Sequence, residues 1–138
     1  EEEAEVLRLY SDRLVAKPGT KDYGALTVFT QAGFDVDTVC RLKPGSFHPP
    51  PKVESAVVRL VPSEPPLAEE TASFRAIVRA AFQTRRKTLR NALKSLGDDE
   101  RVAAAAAEAS IDLARRGETL SVTEFANLAA AWDAKERR

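Results

Sequence analysis

Phe47 stands in the run Pro44-Gly45-Ser46-Phe47-His48-Pro49-Pro50-Pro51-Lys52-Val53-Glu54-Ser55, where an aromatic ring has a clear use in binding. Three consecutive prolines hold φ at about −65° and bias each preceding residue toward extended backbone, so the loop is stiff before anything packs on it. A ring on such a rail can stack on a planar ligand at little entropic cost. The same ring could instead anchor a core by closing the loop over a sheet. Lys52 and His48, beside the ring, could touch a phosphate or simply be solvated.

A second chemistry is written in charge. The chain has 21 basic and 21 acidic residues and a formal net charge of zero, which taken alone argues against a nucleic-acid partner. Distribution overrules the total. Four of the first five residues are glutamate, whereas 71–94 contains Arg75, Arg79, Arg85, Arg86, Lys87, Arg90 and Lys94 and no acid. A phosphate backbone responds to that local field, and the planar fork of arginine suits phosphate oxygens. A solvated charged face is the bland alternative, but such faces usually mix both signs.

The elements that would position these groups follow from periodicity. At 100° per residue Phe74, Ile77, Val78, Ala81, Phe82, Leu89, Leu93 and Leu96 share one face of a helix over 72–96, which would be roughly 36 Å long at about 1.5 Å per residue. The cations fall on its flank and back. Arg85 alone lies inside the apolar arc, where it must snorkel, pair with an acid, or mark a place where the face opens to a partner. Val36 to Leu42 and Val53 to Val61 are rich in β-branched residues and read as strands flanking the Phe47 loop. Cys40, within the first of them, reads as a small buried hydrophobe.

Upstream, Val6, Leu9, Tyr10 and Leu14 predict a helix from Glu1 to Ala16, ending at the turn Lys17-Pro18-Gly19. Tyr23 to Ala32 predicts a second helix, closed by Gly33 as its cap. Pro62 to Glu70, with Pro62, Pro65 and Pro66, reads as a linker, dividing the chain into 1–62, 63–70 and 71–138. Beyond it come helices at Asp98 to Ala109 and Val122 to Ala134. Ser121 and Glu124 form a capping box, Gly97 and Gly117 fit helix ends, and Ala103 to Ala107 suggests close helix contact or an exposed, locally stable turn.

Length and composition set the class. A chain of 138 residues, 43% hydrophobic and 30% charged, reads as soluble and globular, with one ordinary core or two small ones. No apolar run reaches the roughly 20 residues that span a bilayer, so no membrane partner and a cytoplasmic location are expected. One His and one Cys supply no zinc ligand set, the carboxylates form no metal pattern, and the lone Cys fits a reducing compartment.

Phe47-His48-Pro49-Pro50-Pro51-Lys52-Val53-Glu54-Ser55 resembles the Phe-x-Pro-x-Pro-x-Val-x-Ser signature of the rRNA adenine dimethyltransferases, a family that includes small-subunit ribosomal enzymes and erythromycin-resistance methylases. Leu14 to Thr27 and Phe82 to Leu93 look like the ribosomal branch. The likeness covers about 13–132 in the family's order, while residues before Asp12 depart from it. Three separate motifs agree.

The resemblance implies an S-adenosylmethionine-dependent enzyme that dimethylates adenines flipped out of RNA, built as a doubly wound α/β methyltransferase domain followed by a small helical domain. The family's glycine-rich cofactor turn and its Asn-(Pro or Leu)-Pro-Tyr motif do not occur in this sequence. The expected fold is therefore an α+β fragment, the C-terminal edge (a helix plus two strands) of the doubly wound domain followed by a small all-α domain. By residue-for-residue match Phe47 would stack on the flipped adenine, with Pro49, Pro51, Val53 and Ser55 supporting its loop. Arg79, Arg85, Arg86, Lys87, Arg90, Lys94 and Lys52 would contact RNA.

No cofactor is expected to bind this chain alone, and the implied partner is small-subunit rRNA in an immature subunit. Two strands cut from a parallel sheet would leave an edge open to self-association, unless the N-terminal helix covers it. A large-subunit methylase conferring macrolide resistance is the alternative enzyme. A non-catalytic RNA-binding module, or one docking on an acidic protein, is the alternative class.

Overall fold

The structure is a computed structural model that describes residues 4–6, 11–42 and 55–136, with side chains described for 12–39 and 58–134. Three strands form one sheet: β1 (Ala4–Val6), β2 (Phe34–Leu42) and β3 (Ser55–Pro62), in the order β1-β3-β2. Both pairings are antiparallel. This corrects the expected parallel arrangement. A parallel partner would need a crossover element, whereas β3 returns directly along β2, from Leu42 opposite Ser55 to Phe34 opposite Pro62. A bulge between Thr38 and Cys40 interrupts β2, and Val39 there is exposed. The side chain of Cys40 lies outside the described residues.

The helix expected from Glu1 to Ala16 is also corrected. Ala4–Val6 pairs with β3, Ala4 opposite Arg59 and Val6 opposite Val57, and among the described residues of this stretch only α1 (Ser11–Leu14) is helical. An open strand edge offers a row of backbone partners, and that ladder prevails over a weak local helical spacing.

Helix α2 (Ala25–Gly33) passes straight into β2. Gly33 is its last helical residue rather than the cap read from the sequence. The chain leaves in extended form at Phe34, whose N–H donates to the Thr30 carbonyl. Side chains tie α1 to α2: the buried Thr27 hydroxyl donates to the Arg13 carbonyl at 2.5 Å, and Gln31 Nε2 donates to Leu14 at 2.8 Å and Ala16 at 3.2 Å. The 63–70 segment is fastened along the same helix. Ser63 N–H donates to the Gly33 carbonyl at 2.9 Å and Ala68 N–H to Ala32 at 3.3 Å, with Ala68 buried.

Helix α3 (Ala72–Gln83) buries Phe74, Ile77, Val78 and Ala81, the face the periodicity predicts. It does not run to residue 96. The chain turns at 84–88, forms α4 (Leu89–Ala92) behind the cap Thr88, and closes in a 3₁₀ turn at Leu93–Ser95. The reason lies in the backbone. A continuous helix would send the Leu89 and Arg90 N–H groups to the carbonyls four residues back. They donate instead to Arg115 at 2.7 Å and Leu113 at 3.1 Å, a ladder from a distant segment.

Helix α5 (Asp99–Ala109) starts on the Asp98 cap, ends at Ser110 in the left-handed region, and packs against α6 (Val122–Glu136). The Ser121–Glu124 capping box forms in both directions, at 3.1 and 3.0 Å. Arg115 grips the same carboxylate through Nη1 at 2.6 Å and Nη2 at 3.1 Å. That grip, with the Ser121 bonds, holds Glu124 below the usual carboxylate range against the opposing effect of burial. Ala105 and Ala106 of the alanine run are buried, Ala103 and Ala107 exposed.

The core is continuous. Tyr23, Val28 and Ala32 join Phe74, Ile77, Leu89, Leu93, Phe125 and Leu128 in one buried cluster. Gly117 opens a 3₁₀ turn (Gly117–Thr119) rather than ending a helix. What it supplies is room, since a Cβ there would lie 2.5 Å from the Ala81 Cβ. Gly97 gives similar room to Trp132, 2.8 Å from where its Cβ would be.

Gly117→Ala must therefore push the turn away from α3. Urea unfolding should show a loss of about 1–3 kcal/mol, whereas Gly24→Ala, which meets nothing within 4 Å, should cost less than about 1 kcal/mol.

Candidate nucleic-acid interface

Breaking the long helix changes what the cations are attached to. Arg85, Arg86 and Lys87 lie on the turn at 84–88 between α3 and α4, Arg90 on α4 and Lys94 in the 3₁₀ turn after it. Arg86, Lys87, Arg90 and Lys94 are exposed, and among the described residues none of them makes an ion pair. Arg79, exposed on α3, holds its guanidinium carbon 5.9 Å from the centre of the Phe29 ring. Arg75 is occupied by the Glu70 carbonyl at 2.8 Å.

Arg85 sits differently. Its Nη2 donates to the Tyr23 carbonyl, its Nε lies 3.9 Å from Glu118 Oε1, and its guanidinium carbon is 5.8 Å from the Phe82 ring centre. Two of the three outcomes open to a cation in the apolar arc thus occur together: the side chain stays exposed with its guanidinium near an aromatic ring, and that head reaches an acid.

Tyr23 is the hub of this corner, a role that its place at the start of a predicted helix does not reveal. Its hydroxyl, fully buried, donates to the Leu120 carbonyl at 2.7 Å. Its ring meets Phe82 edge-on with centroids 5.8 Å apart, and Phe82 in turn lies 5.9 Å from Phe125. Gly19, at φ +86°, turns the preceding loop so that its N–H donates to the Glu118 carbonyl at 2.9 Å. The signal available in the sequence was Pro18-Gly19 followed by a lone tyrosine within Leu14 to Thr27.

Arg85 also lines a cleft of about 290 Å³ with Arg13, Lys21, Asp22 and the start of α2. A larger cleft, about 600 Å³, lies between 15–18, the start of β2 and 61–67, and Lys17 is its one basic residue. It is at the end of the β2–β3 pair formed by Phe34 and Pro62, and no residue of the basic turn lines it. Phe47, Pro49, Pro51, Lys52 and Val53 lie outside the described residues. Ser55 opens β3, and its side chain also lies outside them.

An S-adenosylmethionine site does not fit the described residues. β3 runs into Ser63-Glu64-Pro65-Pro66, with no glycine-rich turn at its end. The described glycines are scattered, two of them filled over by Ala81 and Trp132. Among the described residues no group of three or more His, Cys, Asp or Glu could hold a metal ion, and no helix is long and apolar enough to cross a membrane.

The fold is that of part of an α/β methyltransferase. It resembles a dimethyladenosine transferase from Plasmodium falciparum (TM-score 0.82, 21% identity, 96% of this chain and 57% of that one). It also resembles the 23S rRNA methyltransferase ErmE (TM-score 0.63, 26% identity, 94% of this chain and 54% of that one). The family model for ribosomal RNA adenine dimethylase matches residues 8–133, and the chain belongs to that family.

Among curated relatives, the ribosomal RNA small subunit methyltransferase A of Geobacter metallireducens is 51% identical over 125 residues, 87% of this chain and 46% of that protein. The protein of the same name from Rhodospirillum rubrum is 48% identical over 124 residues, 89% of this chain and 42% of that protein. The chain thus spans less than half the length of these relatives.

Burial first, and then the Glu124 carboxylate, push the Tyr23 phenol up from 10.0 to about 12. The native state keeps a proton that the unfolded chain loses near pH 10, so this contribution to stability is complete below pH 10 and is lost as pH rises through about 12. Absorbance at 295 nm should show a tyrosine ionising near pH 12, absent in Tyr23→Phe.

Proposed function

We propose that the intact protein dimethylates adjacent adenines in a hairpin loop near the 3′ end of small-subunit rRNA, and that this chain supplies RNA docking and base stacking. The observation that carries the docking half is the turn at 84–88: Arg86 and Lys87 stand exposed, without an ion pair among the described residues, in a chain whose net charge is zero. In this reading Arg90, Lys94, Arg79 and Lys52 also contact the RNA. Arginine forks on a defined turn can take two phosphate oxygens at once.

In this reading Phe47 receives the flipped adenine, and Pro49, Pro51, Val53 and Ser55 brace its loop. Extruding a base costs a few kcal/mol, and stacking on an aromatic ring returns ~1–3. Residues 1–62 act as the C-terminal edge of a methyltransferase domain, 63–70 as the join, and 71–138 as the RNA-docking helical domain. S-adenosylmethionine supplies the methyl groups in the intact enzyme and is held by residues that this chain does not contain, so the chain alone is catalytically silent. The names of the curated relatives favour the small subunit over the large one as substrate.

Two measurements test this. Binding of a labelled small-subunit hairpin RNA should weaken in Arg86→Ala and in Lys87→Ala, each lowering the slope of log affinity against log salt by about 0.7–0.9. A polyacidic peptide should compete poorly, and equal competition would favour an acidic protein partner. Incubation with labelled S-adenosylmethionine and immature small subunits should give no methyl transfer above background, and transfer by this chain alone would refute its silence.

A further inference from the structure

Sequence order groups Arg85 with Arg86 and Lys87, but its contacts give it a different task. Its guanidinium, on an exposed side chain, is already engaged by the protein itself, between the Tyr23 carbonyl on the segment that enters α2 and the Glu118 carboxylate in the 3₁₀ turn. Both anchor points are themselves fixed. Tyr23 is held to Leu120 through its hydroxyl, and the Glu118 carbonyl receives the Gly19 N–H. Arg85 therefore closes a ring of contacts in which 19–23, 84–88 and 117–120 each touch the others.

The next two residues in the chain, Arg86 and Lys87, are exposed as Arg85 is, but they make no ion pair among the described residues. A turn is defined when its ends are capped and one residue inside it is clamped. Here Thr84 donates to the Ala80 carbonyl at 3.2 Å, Thr88 caps α4, and Arg85 is the clamp between them.

We propose that Arg85 is a positioning residue: it latches the basic turn to the segment entering α2 and so sets where Arg86 and Lys87 present their charges. The proposal rests on the RNA-docking reading of those two residues. Because α2 passes directly into β2, the latch also fixes the register between the docking turn and the hairpin whose far end carries the Phe47 loop in sequence. A lysine keeps the charge but cannot span the same two acceptors, since its ammonium is a point charge and not a fork.

The test is a double-mutant cycle in the full chain with the labelled hairpin RNA, using Arg85→Lys so that charge is conserved, together with amide exchange at Gly19 in the RNA-free chain. Arg86→Ala should weaken binding about tenfold in the wild-type background and less than about threefold in the Arg85→Lys background, because Arg86 is no longer presented. Gly19 exchange should rise about tenfold in Arg85→Lys and stay unchanged in Arg86→Ala, with the urea midpoint little altered in either.

Equal costs of Arg86→Ala in the two backgrounds, with Gly19 exchange unmoved, overturn the proposal and make Arg85 an ordinary phosphate ligand. Accelerated Gly19 exchange with equal costs overturns it too, leaving Arg85 a structural tie only. If Arg86→Ala costs nothing in the wild-type background, the docking reading itself has failed, and the positioning role falls with it.

Discussion

The hydrogen bond from the buried Tyr23 hydroxyl to the Leu120 carbonyl joins residues 97 apart in sequence, and the arrangement of the chain turns on it. A phenol left without an acceptor in that environment would cost about 1–3 kcal/mol, so the bond both fills a need and fixes a place. Around it the Phe82 and Phe125 rings close in at edge or tilted angles, where ring quadrupoles attract. The sheet and α2 on one side and α3 to α6 on the other are linked in sequence by 63–70. They are linked in space by this corner, and the shared core of Tyr23, Val28, Phe74 and Phe125 follows from it.

Electrostatics of the helical part have the same logic. Several of its acids are engaged: Glu124 by Arg115 and Ser121, Asp98 by the Arg101 amide, Asp133 by the Ser73 hydroxyl, Glu118 beside Arg85. No acid lies within 71–97, so a chain of zero net charge can still present a one-signed turn. The sheet's outer edge is treated differently. β2 carries Asp35, Asp37 and a bulge at Thr38/Cys40, features that discourage another strand from adding there.

Where local pattern and long-range pairing conflicted, pairing won twice. Residues 84–88 have helical neighbours and no proline, yet the Leu89 and Arg90 amides went to Leu113 and Arg115. Ala4–Val6 sits within a helical spacing, yet it lies along β3. In each case a backbone ladder from a distant segment satisfied groups that an isolated helix would have had to satisfy locally. The cost of the break at 84–88 is small, because Thr84 and Thr88 stand ready as caps on its two sides.

Some features were legible from residue order because their physics is local. The apolar face of α3 follows from a 3.6-residue period, the Ser121–Glu124 box from a spacing of three, the β2 and β3 strands from β-branched composition, and family membership from motifs whose order survives in the chain. Others depended on segments that meet only after folding: the antiparallel return of β3, the strand at Ala4–Val6, the break in the basic helix, Gly117 making room for Ala81, and the separation of Arg85 from Arg86 and Lys87. One sequence run, Arg85-Arg86-Lys87, holds both kinds of information. Its charge is a property of the residues, but which cation bonds back onto the protein is decided by where Tyr23 and Glu118 come to lie, and no spacing along the chain records that.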